Sequence, residues 1–314
     1  MKKAVVTGGA GFIGSHLVEA LREKGLEVKV IDNLHAGRKE NLASVMKEIE
    51  FVEGDVRNID FLLKEFRNSD IVFHEAALHY VRESVEKPLE FNEVNVSGTL
   101  NVLEAARKNN VKRVVFASTC AVYGNAEKLP LEENAQLNPL NPYAITKIAG
   151  EMYAKHYFES FGLETVSLRY FNAFGPRQPA NSPYSAIIPI MVSSVLKGKK
   201  PKIFGTGEQS RDFVFVKDIA RANISAMGAK KEAFGKAINI GTGKSTSITS
   251  ILNGVNNSLG KSILAEHLPG RKEEIFKIQS SVKLAKKLLG FECKYTFEKG
   301  LKETIEWFKK EAKK

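Results

Sequence analysis

The sequence predicts an α/β protein: a doubly wound parallel sheet with helices on both faces, and a smaller α+β lobe toward its C-terminal end. Short β-branched apolar runs alternate with helix-period segments, a glycine-rich turn follows the first run, and the alternation loosens after Asn172. Strands buried on both faces read as near-continuous apolar runs, and KAVVTG, EVKVID, EIEFVEGD, DIVFHEAA, RVVFAST and ETVSLRYF have that form. Between them, SHLVEALREKG and GTLNVLEAARKNN repeat apolar residues at helical spacing, as crossover helices do. Beyond Asn172, the prolines and glycine of FGPRQPANSPYSAIIP suit a loop that crosses to another lobe. Strand signals return at RDFVFV and KAINIGTG, and the helical patterns SSVKLAKKLLG and GLKETIEWFKKEAKK run to the end. The expected division is discontinuous, with residues 1–172 and 212–242 in the larger unit and 173–211 and 243–314 in the smaller. A chain of 314 residues is long enough for both.

Composition excludes several classes. Hydrophobic content of 43% with 26% charged is ordinary for a soluble globular protein, and no apolar run reaches the length of a membrane span. Glycines interrupt the apolar run of MKKAVVTGGAGFIG, so it does not read as a signal peptide. Cys120 and Cys293 are too few for a disulfide framework and have no metal-ligand spacing, which fits a reducing cytoplasm and no metal. The net charge of +11 is spread along the chain, with a modest cluster only in the tail KKEAKK. Neither a nucleic-acid nor a membrane partner is expected, while a small anionic substrate is compatible with that charge.

The segment AVVTGGAGFIG places Gly8, Gly11 and Gly14 directly after a strand and before a helix. Glycine allows a tight turn with close backbone approach, and a helix N-terminus favours a pyrophosphate. EVKVID ends at Asp32, 18 residues past Gly14, where a carboxylate can accept hydrogen bonds from an adenosine ribose. Such a carboxylate repels a 2'-phosphate, so NAD is expected rather than NADP. Asp55, at the end of a third strand, suits either an adenine contact or a helix cap.

Tyr143 and Lys147, four apart in NPYAITK, share a helix face. A phenol titrates near 10, roughly three units above neutrality, at about 1.4 kcal/mol per unit. A neighbouring ammonium and a positive nicotinamide ring are expected to supply that shift and make Tyr143 a usable base. Upstream, RVVFAST ends in two hydroxyls, Ser118 and Thr119, which suit catalysis or the satisfaction of strand-end backbone groups.

With these motifs in order, the chain resembles the extended short-chain dehydrogenase/reductases of the nucleotide-sugar epimerase/dehydratase family. TGGAGFIG, DNL at 32–34, HEAA at 74–77, NVSGT at 95–99, STCAVYG, NPYAITK and RYFNAFGPRQ carry the resemblance over nearly the whole chain. It implies a Rossmann-type domain and a Thr119, Tyr143, Lys147 catalytic set, with Ser118 beside it. It implies NAD contacts from Gly8, Gly11, Phe12, Ile13 and Gly14, and from Asp32, Asn33, Asp55 and Val56. Ala76, Ala77, Asn95, Tyr143, Lys147 and Tyr170 complete that cofactor set. Substrate contacts are implied for Ser84, Thr119, Tyr143, Asn172, Arg177, Arg211, Arg271 and Glu274, with Ile278 as the gate for sugar bulk.

In the resembling 4,6-dehydratases, an Asp-Glu pair follows the catalytic hydroxyl to eliminate water across C5 and C6. The resembling uronate decarboxylases carry a Glu at the second of those positions. Cys120 and Ala121 stand here, which leaves 4-epimerisation. The resemblance then implies a tightly held NAD that takes hydride from sugar C4 and returns it to the other face, with Tyr143 handling the hydroxyl proton. UDP-glucose and UDP-galactose are the simplest pair, with the N-acetyl forms possible. The alternatives are a uronate 4-epimerase, another nucleotide-sugar dehydratase or reductase, and a noncatalytic NAD-binding regulator. A homodimer through helices including residues 92–109 and 142–161 is also implied.

Overall fold

A computed structural model of the chain describes residues 1–126, 128–180, 185–270 and 276–312. The chain begins β1 (Lys3–Thr7), α1 (Phe12–Glu23), β2 (Glu27–Asp32), β3 (Glu50–Glu53), α2 (Ile59–Glu65) and β4 (Ile71–His74). It continues α3 (Val81–Glu86), α4 (Pro88–Asn92), a π-helical turn over Glu93–Ser97, α5 (Gly98–Lys108), β5 (Arg113–Thr119), α6 (Pro142–Phe161) and β6 (Glu164–Tyr170). After β7 (Asn172–Phe174) come α7 (Ile187–Leu196), β8 (Lys202–Phe204), β9 (Ser210–Arg211), β10 (Phe213–Phe215), α8 (Val216–Met227) and β11 (Lys236–Ile240). The last elements are β12 (Thr246–Ser247), α9 (Ile248–Leu259), β13 (Glu266–Leu268), α10 (Lys283–Leu289) and α11 (Phe297–Glu311).

Seven strands form one parallel sheet in the order β11-β6-β5-β4-β1-β2-β3, a Rossmann-type α/β fold. Successive strand residues face opposite sides, and the core divides accordingly. Val6, Phe73 and Val115 pack with Leu17 of α1 and Ile219 of α8. Val5, Val72 and Val114 pack with Phe66, Val102 and Leu103 beneath α2 and α5. The register pairs Thr7 with His74 and Thr119 with Tyr170, so the C-terminal strand ends align and their loops open along one edge. Helix α6 starts where Asn141 accepts the Ala144 N–H at 2.9 Å and Pro142 presets the first turn.

Phe174, Met191, Phe213, Phe215, Ile251 and Leu301 form a second core in the smaller lobe. The parallel pair β7–β10 joins the lobes, with Val214 facing the first core and Phe213 and Phe215 the second. The expected 243–314 block needs correction here. Ala285 and Phe291 bury in the larger core, and α10 packs against β11 and α8. The apolar face of SSVKLAKKLLG covers the edge strand, so the chain returns from the small lobe before α11. Among the described residues no helix is long and apolar enough to cross a membrane, and no group of His, Cys, Asp and Glu suits a metal.

His74, at the end of β4, bridges Thr7 (Nδ1 to Oγ1, 2.7 Å) and Thr99 (Nε2 to Oγ1, 3.0 Å). Thr99 gives its own proton to the Asn95 carbonyl at 2.6 Å, so Nε2 carries the ring hydrogen and Nδ1 accepts from Thr7. Burial, and secondarily Lys147, pushes the imidazole down to about 3. Its folded-state value lies below the unfolded one, so this stabilisation is complete above pH 6.5 and is lost as pH falls toward 3. His74→Gln should therefore flatten the acid side of the unfolding free energy in urea, by up to about 1.4 kcal/mol per pH unit. His16, held down to about 4 by burial and then Arg177, leaves a residual slope. An identical slope in the variant would refute the assignment.

Candidate active site

Strand order reverses between β1 and β4, the place where a crevice at the sheet's C-terminal edge is expected. A cavity of about 1540 Å³ lies there. Gly8 (φ +70°) brings its backbone against the neighbouring loop, where a Cβ would stand 2.6 Å from the Ala76 nitrogen. Gly14 packs equally closely, and a Cβ there would meet the Gly8 oxygen at 2.2 Å. Gly11 begins α1 with no side-chain cap, and Gly11, Phe12 and Ile13 line the cavity. The first N–H groups of α1 therefore present an anion site.

Asp32 Oδ2 accepts from the Ala10 N–H at 2.9 Å and Oδ1 from the Leu34 N–H at 2.8 Å. Burial raises its pKa. A side chain at Gly37 would run into this carboxylate, at 2.7 Å, so the approach stays clear. Asn33, Val56, Ala76, Ala77 and Tyr170 also line the cavity. A bare helix N-terminus with a carboxylate one strand away fits a dinucleotide.

Thr119, Tyr143 and Lys147 converge on the same cavity. Thr119 and Ser118 both border it, but the Ser118 hydroxyl is turned to Glu151 on α6, where it donates at 2.5 Å. Glu151 also receives both arms of Arg169, at 2.8 and 2.7 Å. The catalytic expectation for Ser118 is corrected accordingly: its hydroxyl is committed to a buried ion pair. Lys147 Nζ donates to the Ala117 carbonyl at 2.8 Å. Burial pushes this ammonium down to about 8, with Glu75 and Glu151 opposing. The phenol differs from expectation as well. Burial drives Tyr143 up to about 12, although a hydrogen bond from Thr119 pulls it down. A positive charge brought to the cavity would lower it.

On the other side, Asn172, Arg211 and Ile278 line the cavity. The Asn172 amide donates to the Asp212 carbonyl at 3.2 Å, and Arg211 donates to the carbonyls of Ser210 and Phe276 at 2.9 and 3.3 Å. Arg271 and Glu274 lie outside the described residues. Four expected contacts are placed elsewhere. The Asp55 carboxylate is taken by Arg57 and Asn33, which hold its pKa far below the carboxylate range, while Asn58 caps α2. Asn95 exchanges two hydrogen bonds with the Leu78 backbone, each 2.9 Å, and so fixes the loop beside Ala77 rather than reaching a ligand. The Ser84 hydroxyl bonds back to the Val81 carbonyl at 2.6 Å. Arg177 turns to Glu19 of α1 at 2.5 Å and ties the crossing loop to the first helix.

Two lining residues stand outside the expected site. His79 is exposed and borders the cavity, its ring tilted 38° to that of Tyr80 with centroids 4.2 Å apart. Glu75 stands out in the sequence only as part of HEAA. It lines the cavity, accepts the Tyr170 hydroxyl at 2.7 Å, and is pushed up to about 7 by burial. An acidic residue directly after an apolar strand is the available signal.

The model of the NAD dependent epimerase/dehydratase family matches residues 4–241. The chain belongs to that family. It is 35% identical over 315 residues to a UDP-glucose 4-epimerase of Mycolicibacterium smegmatis, covering 99% of each chain. A solved UDP-N-acetylglucosamine 4-epimerase from Methanobrevibacter ruminantium M1, in complex with UDP-N-acetylmuramic acid, shares 41% identity with a TM-score of 0.94 and 99% coverage of both chains. A UDP-glucose 4-epimerase from Thermus thermophilus in complex with NAD shares 37% identity with a TM-score of 0.89, covering 98% of this chain and 99% of that one. UDP-sugar 4-epimerases thus share this fold over nearly their whole length, and NAD is bound in one of them.

Glu151→Ala would strand the Arg169 guanidinium among buried groups and release Ser118. We expect a loss of about 3–5 kcal/mol in the unfolding free energy from denaturant titration. A loss below about 1 kcal/mol, the range of an exposed pair, would show that Arg169 finds another partner.

Proposed function

We propose that the protein is an NAD-dependent UDP-sugar 4-epimerase that interconverts UDP-glucose and UDP-galactose, and also accepts the N-acetyl forms. The observation that carries this reading is the meeting of Thr119, Tyr143 and Lys147 in one cavity with the α1 N-terminus and Asp32. Cys120 and Ala121 offer no acid or base for elimination, and Glu75 is bonded to Tyr170 instead. NAD, when bound, supplies a hydride acceptor and donor at the sugar carbon. The α1 N–H groups hold its pyrophosphate and Asp32 its adenosine ribose. Tyr143 Oη takes the proton of the sugar hydroxyl and later returns it, and Thr119 hydrogen-bonds the reacting oxygen. Lys147 keeps a positive charge near the phenol. Arg211 and Asn172, with Arg271 and Glu274, hold the UDP moiety, and Ile278 limits the bulk at the sugar.

Residues 1–172 with 212–242 carry the cofactor in this reading, and the remainder carries most of the substrate contacts. Free Cys120 and Cys293 support a cytoplasmic location. The partner is a second copy of the chain. Ile145 and Met152 of α6 are 55% and 68% exposed, and Val85 and Leu89 on the adjoining α3 and α4 are 63% and 80% exposed. A stripe of this kind on packed helices suits an isologous contact. Light scattering at micromolar concentration should give twice the chain mass, and a monomer there would exclude the dimer.

Purified protein given UDP-glucose, UDP-N-acetylglucosamine or UDP-glucuronate without added NAD should convert at least the first. Tyr143→Phe should lower turnover by at least about 10²-fold while retaining cofactor. Conversion of UDP-glucuronate alone would replace the substrate assignment, and an active Tyr143→Phe would remove Tyr143 as the base.

A further inference from the structure

Glu75 follows β4 directly. Its N–H donates to the Thr7 carbonyl at 3.1 Å, which ties it to β1 at the strand-order reversal. Its side chain enters the cavity, where Oε1 accepts the Tyr170 hydroxyl at 2.7 Å. The Tyr170 oxygen in turn accepts from Asn223 Nδ2 at 2.7 Å, and that amide also donates to the Ile219 carbonyl at 3.1 Å. The relay runs toward the carboxyl, an arrangement that favours its ionised form. Burial works against that form and Lys147 works for it. Lys147 itself donates to the Ala117 carbonyl, so its charge is shared with the backbone.

The layout of the cavity sets what Glu75 meets. A dinucleotide held with its pyrophosphate on the α1 N-terminus and its adenosine at Asp32 would lie with one half toward β2. Its other half, which carries the nicotinamide, would then lie toward the ends of β4 and β5, where Glu75 and Thr119 line the cavity with Tyr143 of α6. The ring is positive when oxidised and loses the charge when it takes a hydride, so a fixed carboxylate there distinguishes the two forms.

We propose that Glu75 is a positioning residue for the cofactor's charge: held by the Tyr170–Asn223 relay, its carboxylate favours the oxidised nicotinamide over the reduced one. The site is thereby kept ready to take a hydride from the sugar. This rests on reading the cavity as an NAD site.

The test is the midpoint potential of the nicotinamide bound to the purified protein, followed by the absorbance of the reduced ring. Glu75→Gln keeps the size and an acceptor for Tyr170 while removing the charge. It should move the equilibrium about tenfold toward the reduced form, about 30 mV upward for a two-electron couple. A potential that stays put or falls, with cofactor still bound, overturns the proposal. Tyr170→Phe leaves the carboxylate and removes its donor, and should shift the potential the same way by less. If Glu75→Gln fails to hold NAD, an unmoved potential in Tyr170→Phe overturns the proposal instead. Wild-type protein that binds no NAD would defeat the cofactor reading, an outcome visible before either variant is titrated.

Discussion

The backbone of Gly8 lies against that of Ala76, with less room between them than a methyl group needs. That contact sits where the parallel sheet reverses its strand order, and the site depends on it. It lets the β1–α1 turn stay tight, so the bare N-terminus of α1 faces the crevice rather than the loop after β4. His74, bridged to Thr7 and Thr99, holds the same two strands together just before that contact. Asn95 then holds the loop one residue beyond Ala77. Its place in a π-helical turn is characteristic of helices adjusted around a functional site.

Electrostatically, three side chains that line the cavity are disfavoured in their charged forms. Burial moves Tyr143 up to about 12, Lys147 down to about 8 and Glu75 up to about 7, each toward its neutral form. Below the cavity, the Glu151–Arg169 pair with Ser118 is satisfied on every side that the structure describes, and it anchors α6 one turn past Lys147.

The two lobes are joined at more than the crossing loop. Arg177 on that loop reaches back to Glu19 of α1, and α10 returns to cover β11. Ile278, on the chain leading into that return, is buried to 6% exposure and lines the cavity. Ile278 is thus carried by backbone packed on the larger core, which restrains it from moving aside.

Local pattern alone determined the alternating strands and helices, the glycine turn with Asp32 beyond it, and the Tyr143–Lys147 pairing, because each rests on spacing within a few residues or on one strand–helix unit. The family followed from those motifs in their order, and the missing carboxylates after Thr119 narrowed the chemistry. Tertiary structure alone decided which polar side chains are free. Ser118, Asp55, Asn95, Ser84 and Arg177 have suitable chemistry, yet each is committed to a partner, and for Ser118 and Arg177 that partner is 33 and 158 residues away. It also decided that the Tyr143 phenol is raised by the chain and that Glu75 shares its cavity. The partners of Ser118, Asn95 and Arg177 come from segments distant in sequence, which no local spacing encodes, whereas those of Asp55 and Ser84 lie two and three residues away.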